Sequence, residues 1–151
     1  MIKVEDNNGF VIAEVTEGIR FKPTPGMVSD ISLVPQTARI DVQEITDVEL
    51  VFTPQHFIST KGQIQIQMPD DLPVVNCDIK STTGAIKFPV NCDITGGFVV
   101  LTNPFESEAY KGDEQMSIVF RGLQLPNSER MIKGITVETY DFANNKHWLV
   151  D

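Results

Sequence analysis

Hydrophobic and polar residues alternate along this chain with a period of two, in short runs broken by Gly, Pro, Asn and Asp. That pattern belongs to antiparallel strands with one buried and one wet face. In Gln63-Ile64-Gln65-Ile66-Gln67-Met68 the glutamines fall on one face and Ile64, Ile66 and Met68 on the other. Asp47 to Phe52, Phe98 to Thr102, Met116 to Phe120 and Lys133 to Tyr140 read the same way, with shorter runs at Ile31 to Leu33 and Ile40 to Val42. Phe10 to Val15 and His147 to Val150 are further strand candidates. Turn signals at Pro23 to Gly26, Lys61-Gly62, Pro69 to Asp71, Thr83-Gly84, Gly96-Gly97, Asn103-Pro104, Lys111 to Asp113 and Pro126-Asn127 separate them. No stretch shows a helical face, so the expectation is an all-β fold, an antiparallel two-sheet sandwich of about seven to nine strands.

The length of 151 residues fits one sandwich of about 100 to 130 residues plus a connecting segment. With 41% hydrophobic and 22% charged residues, the chain sits in the range of folded globular domains and away from disorder. Twelve basic against 21 acidic residues leave a net charge of −9, which argues against nucleic acid or anionic lipid as partners. The acidity keeps a surface protein soluble, or suits a cation or basic partner. No apolar run reaches the roughly eighteen residues of a membrane span, and Met1 to Asp6 lack the pattern of a signal peptide. No membrane insertion is expected. Those first residues read as the inside of a strand, as in a piece of something longer.

Several stretches, taken in order, resemble an immunoglobulin-like tandem repeat domain of very large secreted and surface proteins of protists. Ile31-Ser32-Leu33-Val34-Pro35 resembles the opening strand of such repeats and Leu50-Val51-Phe52-Thr53-Pro54 the second. Gly62 to Pro69 resembles a central strand, with Met68 in place of the usual aromatic residue. Ile118 to Ser128 looks like the segment before the last hairpin, and Gly134 to Asp141 like the closing strand. The resemblance spans residues 28 to 142. It implies an immunoglobulin-like sandwich and an extracellular scaffold or adhesive array, with no enzyme site to carry over.

The two ends of the chain also resemble each other. Ile2-Lys3-Val4-Glu5, Asp6, Asn7-Asn8 and Phe10-Val11-Ile12 recur with small gaps as Ile135-Thr136-Val137-Glu138, Asp141, Asn144-Asn145 and Trp148-Leu149-Val150. Two unrelated hairpin strands would produce the same likeness. A true repeat makes residues 1–17 a terminal strand related to the closing strand of a neighbouring unit, 18–27 a linker and 28–151 the immunoglobulin-like domain. Lys22-Pro23-Thr24-Pro25-Gly26 suits a stiff linker, or an ordinary loop. Ile2, Val4, Phe10, Ile12 and Trp148 are then the candidates for interdomain or strand-addition contact, within one chain or between copies. Trp148 is equally readable as the last core residue.

Val75-Asn76-Cys77-Asp78-Ile79 and Val90-Asn91-Cys92-Asp93-Ile94 repeat one setting on either side of Thr83-Gly84. A hairpin turning there brings Cys77 and Cys92 together, and a disulfide closing that loop contributes about 3 kcal/mol. Buried free thiols or a metal site are the alternatives, though His56 and His147 lack zinc-finger spacing. A disulfide implies an oxidising, extracellular or cell-surface setting.

Neither a nucleophile elbow, a phosphate loop, a dinucleotide fingerprint, a zinc-protease helix nor an EF-hand loop occurs. Asp41, Glu44, Asp47 and Glu49 read as solvated surface rather than a glycosidase acid pair. No catalytic residue, resident metal or cofactor is expected. Calcium is the one cation with candidate ligands, Asp6, Asn8, Asp141 and Asn144, all equally at home in hairpin turns. No Asn-x-Ser/Thr site occurs, and Thr24, Ser81, Thr82 and Thr83 are open to O-linked sugar. Phe52, Phe98, Phe120 and Tyr140 read as core. The expected function is that of a structural repeat unit in an extracellular filament, coat or tether, its partners being copies of itself and attached or bound glycans. The alternative is an extracellular adhesion module that binds carbohydrate or another ligand.

Overall fold

Alternation decides where the core sits. In a computed structural model of the chain, which describes residues 2–5, 11–15, 25–36, 45–126, 134–143 and 145–151, strand β4 (Ile45–Pro54) buries every second residue, Thr46, Val48, Leu50, Phe52 and Pro54. Strand β5 (Gln63–Gln67) does the same with Ile64 and Ile66. Apolar faces of this kind are stable only against one another, so the two strands lie in opposite sheets.

The first sheet has the order β3-β4-β9-β6, with β3 at Val28–Pro35, β6 at Ile79–Thr83 and β9 at Met116–Gln124. The second has the order β11-β10-β5-β8-β7, with β7 at Asn91–Thr95, β8 at Phe98–Thr102, β10 at Thr136–Ala143 and β11 at Lys146–Leu149. All pairings in the two sheets are antiparallel. This is an immunoglobulin-like sandwich of nine strands, in which β3, β4, β9 and β6 take the places of A, B, E and D, and β5, β10 and β11 those of C, F and G. It departs from that plan in two respects: β6 reaches the D place before β7 and β8 are laid down, and of those two the later, β8, lies next to β5.

Central strands are the most deeply buried. Met116, Ile118 and Phe120 of β9 and Leu101 of β8 are inaccessible, as is Tyr110, whose ring stacks on Phe105 at 5.7 Å. The Tyr110 hydroxyl, with one proton to give, lies within hydrogen-bond distance of the carbonyls of Pro54 (2.7 Å) and Glu114 (2.8 Å) and accepts from the Glu114 amide (2.9 Å). A buried phenol needs such partners, and burial raises its pKa. Of the aromatic residues expected inside, Phe52 and Phe120 are core, while Phe98 and Tyr140 are half-buried.

The two cysteines form a disulfide with Cα atoms 5.7 Å apart, but not across a hairpin. β6 hydrogen-bonds to β9 and β7 to β8, so the chain between the cysteines crosses from one sheet to the other instead of doubling back within one. Cys77 precedes β6 and Cys92 lies in β7, which are edge strands of opposite sheets. The bond therefore staples the two sheets along one side of the sandwich.

Unfolding in urea measures both contributions. Leu50→Ala or Phe52→Ala, each emptying a core site, is expected to remove about 3 to 5 kcal/mol. Reducing the disulfide, or replacing both cysteines by serine, should remove about 3 kcal/mol.

Candidate functional site

The opposite side of the sandwich, where edges β3 and β11 lie, is closed by a polar cluster instead of a covalent bond. The Gly26 amide donates to the Val150 carbonyl at 2.8 Å. Past β11 the chain dives inward, and the Asp151 carboxylate is buried completely although the His56 ring beside it is half exposed. That carboxylate accepts from the His56 amide (3.2 Å) and the Thr139 hydroxyl (3.1 Å), and its other oxygen lies 2.6 Å from His56 Nδ1. The Thr139 amide donates to the Asp151 carbonyl at 2.9 Å. Position 26 must be glycine here, because a Cβ would overlap both the His56 ring and the Asp151 carboxylate. Nothing in the sequence marks this cluster: its members are single residues, and even His56 and Asp151 are 95 positions apart.

Next to it stands the β10–β11 hairpin. At its tip Asn145 has φ 58°, a left-handed conformation that Asn tolerates. Asp141 accepts from the Ser59 amide at 2.9 Å. Burial works to raise the Asp141 carboxyl, and hydrogen bonds from Ser59 and the Phe142 amide outweigh it, leaving the pKa below the usual value. The amide of Ser59 is the firm contact, since its buried hydroxyl has no partner of hydrogen-bond geometry. The Tyr140 phenol, bonded to Glu138 at 2.6 Å and partly buried, is pushed up to about 12. Asp141 is thus occupied as a structural acceptor. Asp6, Asn8 and Asn144, proposed with it as calcium ligands, lie outside the described residues. Among the described residues no three His, Cys, Asp or Glu side chains gather as a metal site would require.

Trp148 is not the last core residue. It is 55% exposed on β11, its indole nitrogen donating to the Ala143 carbonyl at 3.1 Å, and its neighbour Leu149 is 43% exposed. All four residues of β11 face solvent.

Of the strand-addition candidates, Ile2 and Val4 belong to β1 (Ile2–Glu5) and Ile12 to β2 (Val11–Val15), while Phe10 lies outside the described residues. The segment expected to be one terminal strand is two: β1 and β2 pair antiparallel as a separate two-stranded sheet, which among the described residues is hydrogen-bonded to neither sheet of the sandwich. Residues 135–150, which it resembles in sequence, also end in a hairpin. Ser81, Thr82 and Thr83 do not sit at a hairpin tip. They form β6, and the hydroxyls of Thr82 and Thr83 are bonded to the Ile86 carbonyl (3.0 Å) and to Ser117 (2.8 Å). Thr24 lies outside the described residues.

A second concavity opens at the other end of β6. Residues 84–88 and 106–114 enclose about 610 Å³ lined by Lys87, Glu106, Glu108, Lys111, Glu114 and the exposed ring of Phe88. The volume suits a small ligand.

No family model and no curated protein matches the chain. Among solved structures, it is similar to the crystal structure of BslA, a bacterial hydrophobin, at 16% identity and a TM-score of 0.45, over 80% of this chain and 96% of that one.

Two measurements check the electrostatics. Asp151→Ala leaves the His56 amide and the Thr139 hydroxyl without their buried acceptor and is expected to cost about 2 to 3 kcal/mol in urea unfolding. The Asp47 carboxyl, bonded to Lys80 at 2.7 Å and to the Gly122 amide at 3.0 Å, is held below the usual carboxylate range, as is Asp141. A lowered folded-state pKa gives stability that is full above the unfolded value and lost as pH falls through the folded one. The melting temperature should therefore decline below about pH 4, and more gently in Asp141→Asn.

Proposed function

We propose that this protein is a structural unit of an extracellular assembly, joined to copies of itself through backbone edges and apolar contacts, with no catalytic role. One observation carries the reading: among the described residues, a hairpin similar in sequence to the closing hairpin pairs only within a two-stranded sheet of its own. An isolated hairpin is marginal in water, and a third strand or a packing surface is what stabilises it. A neighbouring unit supplies both. The disulfide supports an oxidising, extracellular setting, and the exposed Trp148 and Leu149 offer apolar area at the edge nearest the chain's return.

A second reading rests on the cleft between residues 84–88 and 106–114, where the Phe88 ring beside carboxylates and lysines gives the mix of apolar face and hydrogen-bonding groups that sugars use. In that case the unit is an adhesion module and stays monomeric.

Sedimentation velocity over a range of concentrations separates the two. The structural reading expects reversible self-association that disappears when residues 1–17 are removed, in a chain that keeps its sheet signal in circular dichroism. A monomer at all concentrations, with glycan-array binding abolished by Phe88→Ala, would establish the adhesion module instead.

A further inference from the structure

Among the described residues the sandwich has four sheet edges, β3, β6, β7 and β11, and three of them carry features that discourage further pairing. β3 is bulged between Ser29 and Ser32, with Asp30 at φ 54°. β6 shifts register between Ile79 and Ser81, and its Lys80 is pinned to Asp47. β7 is held at Cys92 by the disulfide and presents Asp93 outward. Bulges, charges and covering contacts are how proteins blunt edges.

β11 has neither a bulge nor a cross-link, and its one fixed charge is Lys146 beside the turn. Its register with β10 is regular from Lys146 to Leu149. Ala143 pairs with Lys146 and the Val150 amide donates to Thr139, so by alternation Lys146 and Trp148 direct their backbone groups, and Val150 its amide, to β10. Antiparallel alternation then leaves the N–H and C=O of His147 and Leu149 on the outer edge. Gly26 takes the Val150 carbonyl and ends the open stretch there.

The hairpin β1–β2 is suited to this edge. Its bulge falls on β2: Val4 pairs with Ala13 and Glu5 with Val11, which leaves Ile12 as the extra residue and β1 as the regular strand. β1 has four residues and so does β11. β11 carries Lys146 and His147 without an acid, whereas the hairpin strands carry Glu5 and Glu14 against Lys3.

We infer that β1 of one copy adds to the outer edge of β11 of a second copy, continuing the five-stranded sheet as β2-β1-β11-β10-β5-β8-β7. The inference rests on the structural reading above and specifies its contact. Backbone hydrogen bonds at His147 and Leu149 supply the attraction, and Trp148 and Leu149 the apolar contact.

Cysteine trapping between full-length chains tests it. A Lys3→Cys chain is mixed with a His147→Cys chain under mild oxidation, and a Lys3→Cys chain with a Ser29→Cys chain serves as the β3 control. The expected result is a mixed dimer with His147→Cys at about ten times the control yield, together with roughly tenfold weaker self-association of a His147→Pro chain. That proline removes an outward donor and spares the ladder to β10, and circular dichroism checks its fold. If His147→Pro does not fold, the cysteine pairs decide alone. Equal yields at both edges, or a native chain whose association survives His147→Pro, overturn the β11 assignment while the structural reading stands. A native chain that never associates overturns both, and so does a Lys3→Cys, His147→Cys double variant that closes its disulfide only within a monomer.

Discussion

Two open sheets keep their shared core dry only while both flanks of the sandwich stay shut, and the rest of this structure is organised around that requirement. Leu50 and Phe52 from one sheet and Ile64 and Ile66 from the other are fully inaccessible. That holds only as long as the edge strands beside them do not part. The β6–β7 flank is held covalently by Cys77–Cys92. The β3–β11 flank is held by hydrogen bonds converging on Asp151 and by the amide of Gly26. The two closures differ in kind: a disulfide acts largely on the unfolded chain, whereas the Asp151 cluster depends on buried polar groups finding all their partners, and loses most when one is removed.

The polar closure also fixes where the polypeptide enters the sandwich. Gly26 begins the run into β3, Asp151 ends the run out of β11, and the two residues touch. Entrance and exit share one corner, so the sandwich is not a rod threaded from one end to the other. Anything tethered ahead of residue 25 starts beside the β11 edge. A link between copies at this corner therefore brings sheets side by side, extending them laterally.

How legible this was in the sequence depended on the kind of signal. β4, β5 and β8 declare themselves because each buries a face of Val, Leu, Ile or Phe, and the burial of alternate residues in β4 follows the sequence pattern position by position. β6 and β7 do not, because Lys80-Ser81-Thr82 and Asn91-Cys92-Asp93 are edge segments with little to bury, and the partner of β6 is β9, reached only later in the chain. The cysteine pairing was readable from the repeated Val-Asn-Cys-Asp-Ile setting, but its geometry was not, since that setting does not say that the chain changes sheets between the two copies. Trp148 misleads in the opposite direction: its composition suggests core, yet an edge strand offers it no second layer to enter. Asp151 was illegible altogether, because a carboxylate's burial depends on a histidine, a threonine and a glycine gathered from distant segments.

The charge of the chain limits how such edges can work. At −9, copies repel one another only within about 8 Å at physiological ionic strength, beyond which screening largely hides one surface from another. Long-range steering toward a second copy is therefore absent, and contact has to come from interactions that act at van der Waals and hydrogen-bond range. β11 offers such interactions: two outward sets of backbone groups, an exposed indole and leucine, and a local excess of positive charge from Lys146 on an otherwise acidic molecule. An edge of this composition is weak for one strand and selective for register, because a slip of one residue exchanges the bonded and unbonded positions. Units joined in this way gain strength by repetition, each contact modest and the series stable.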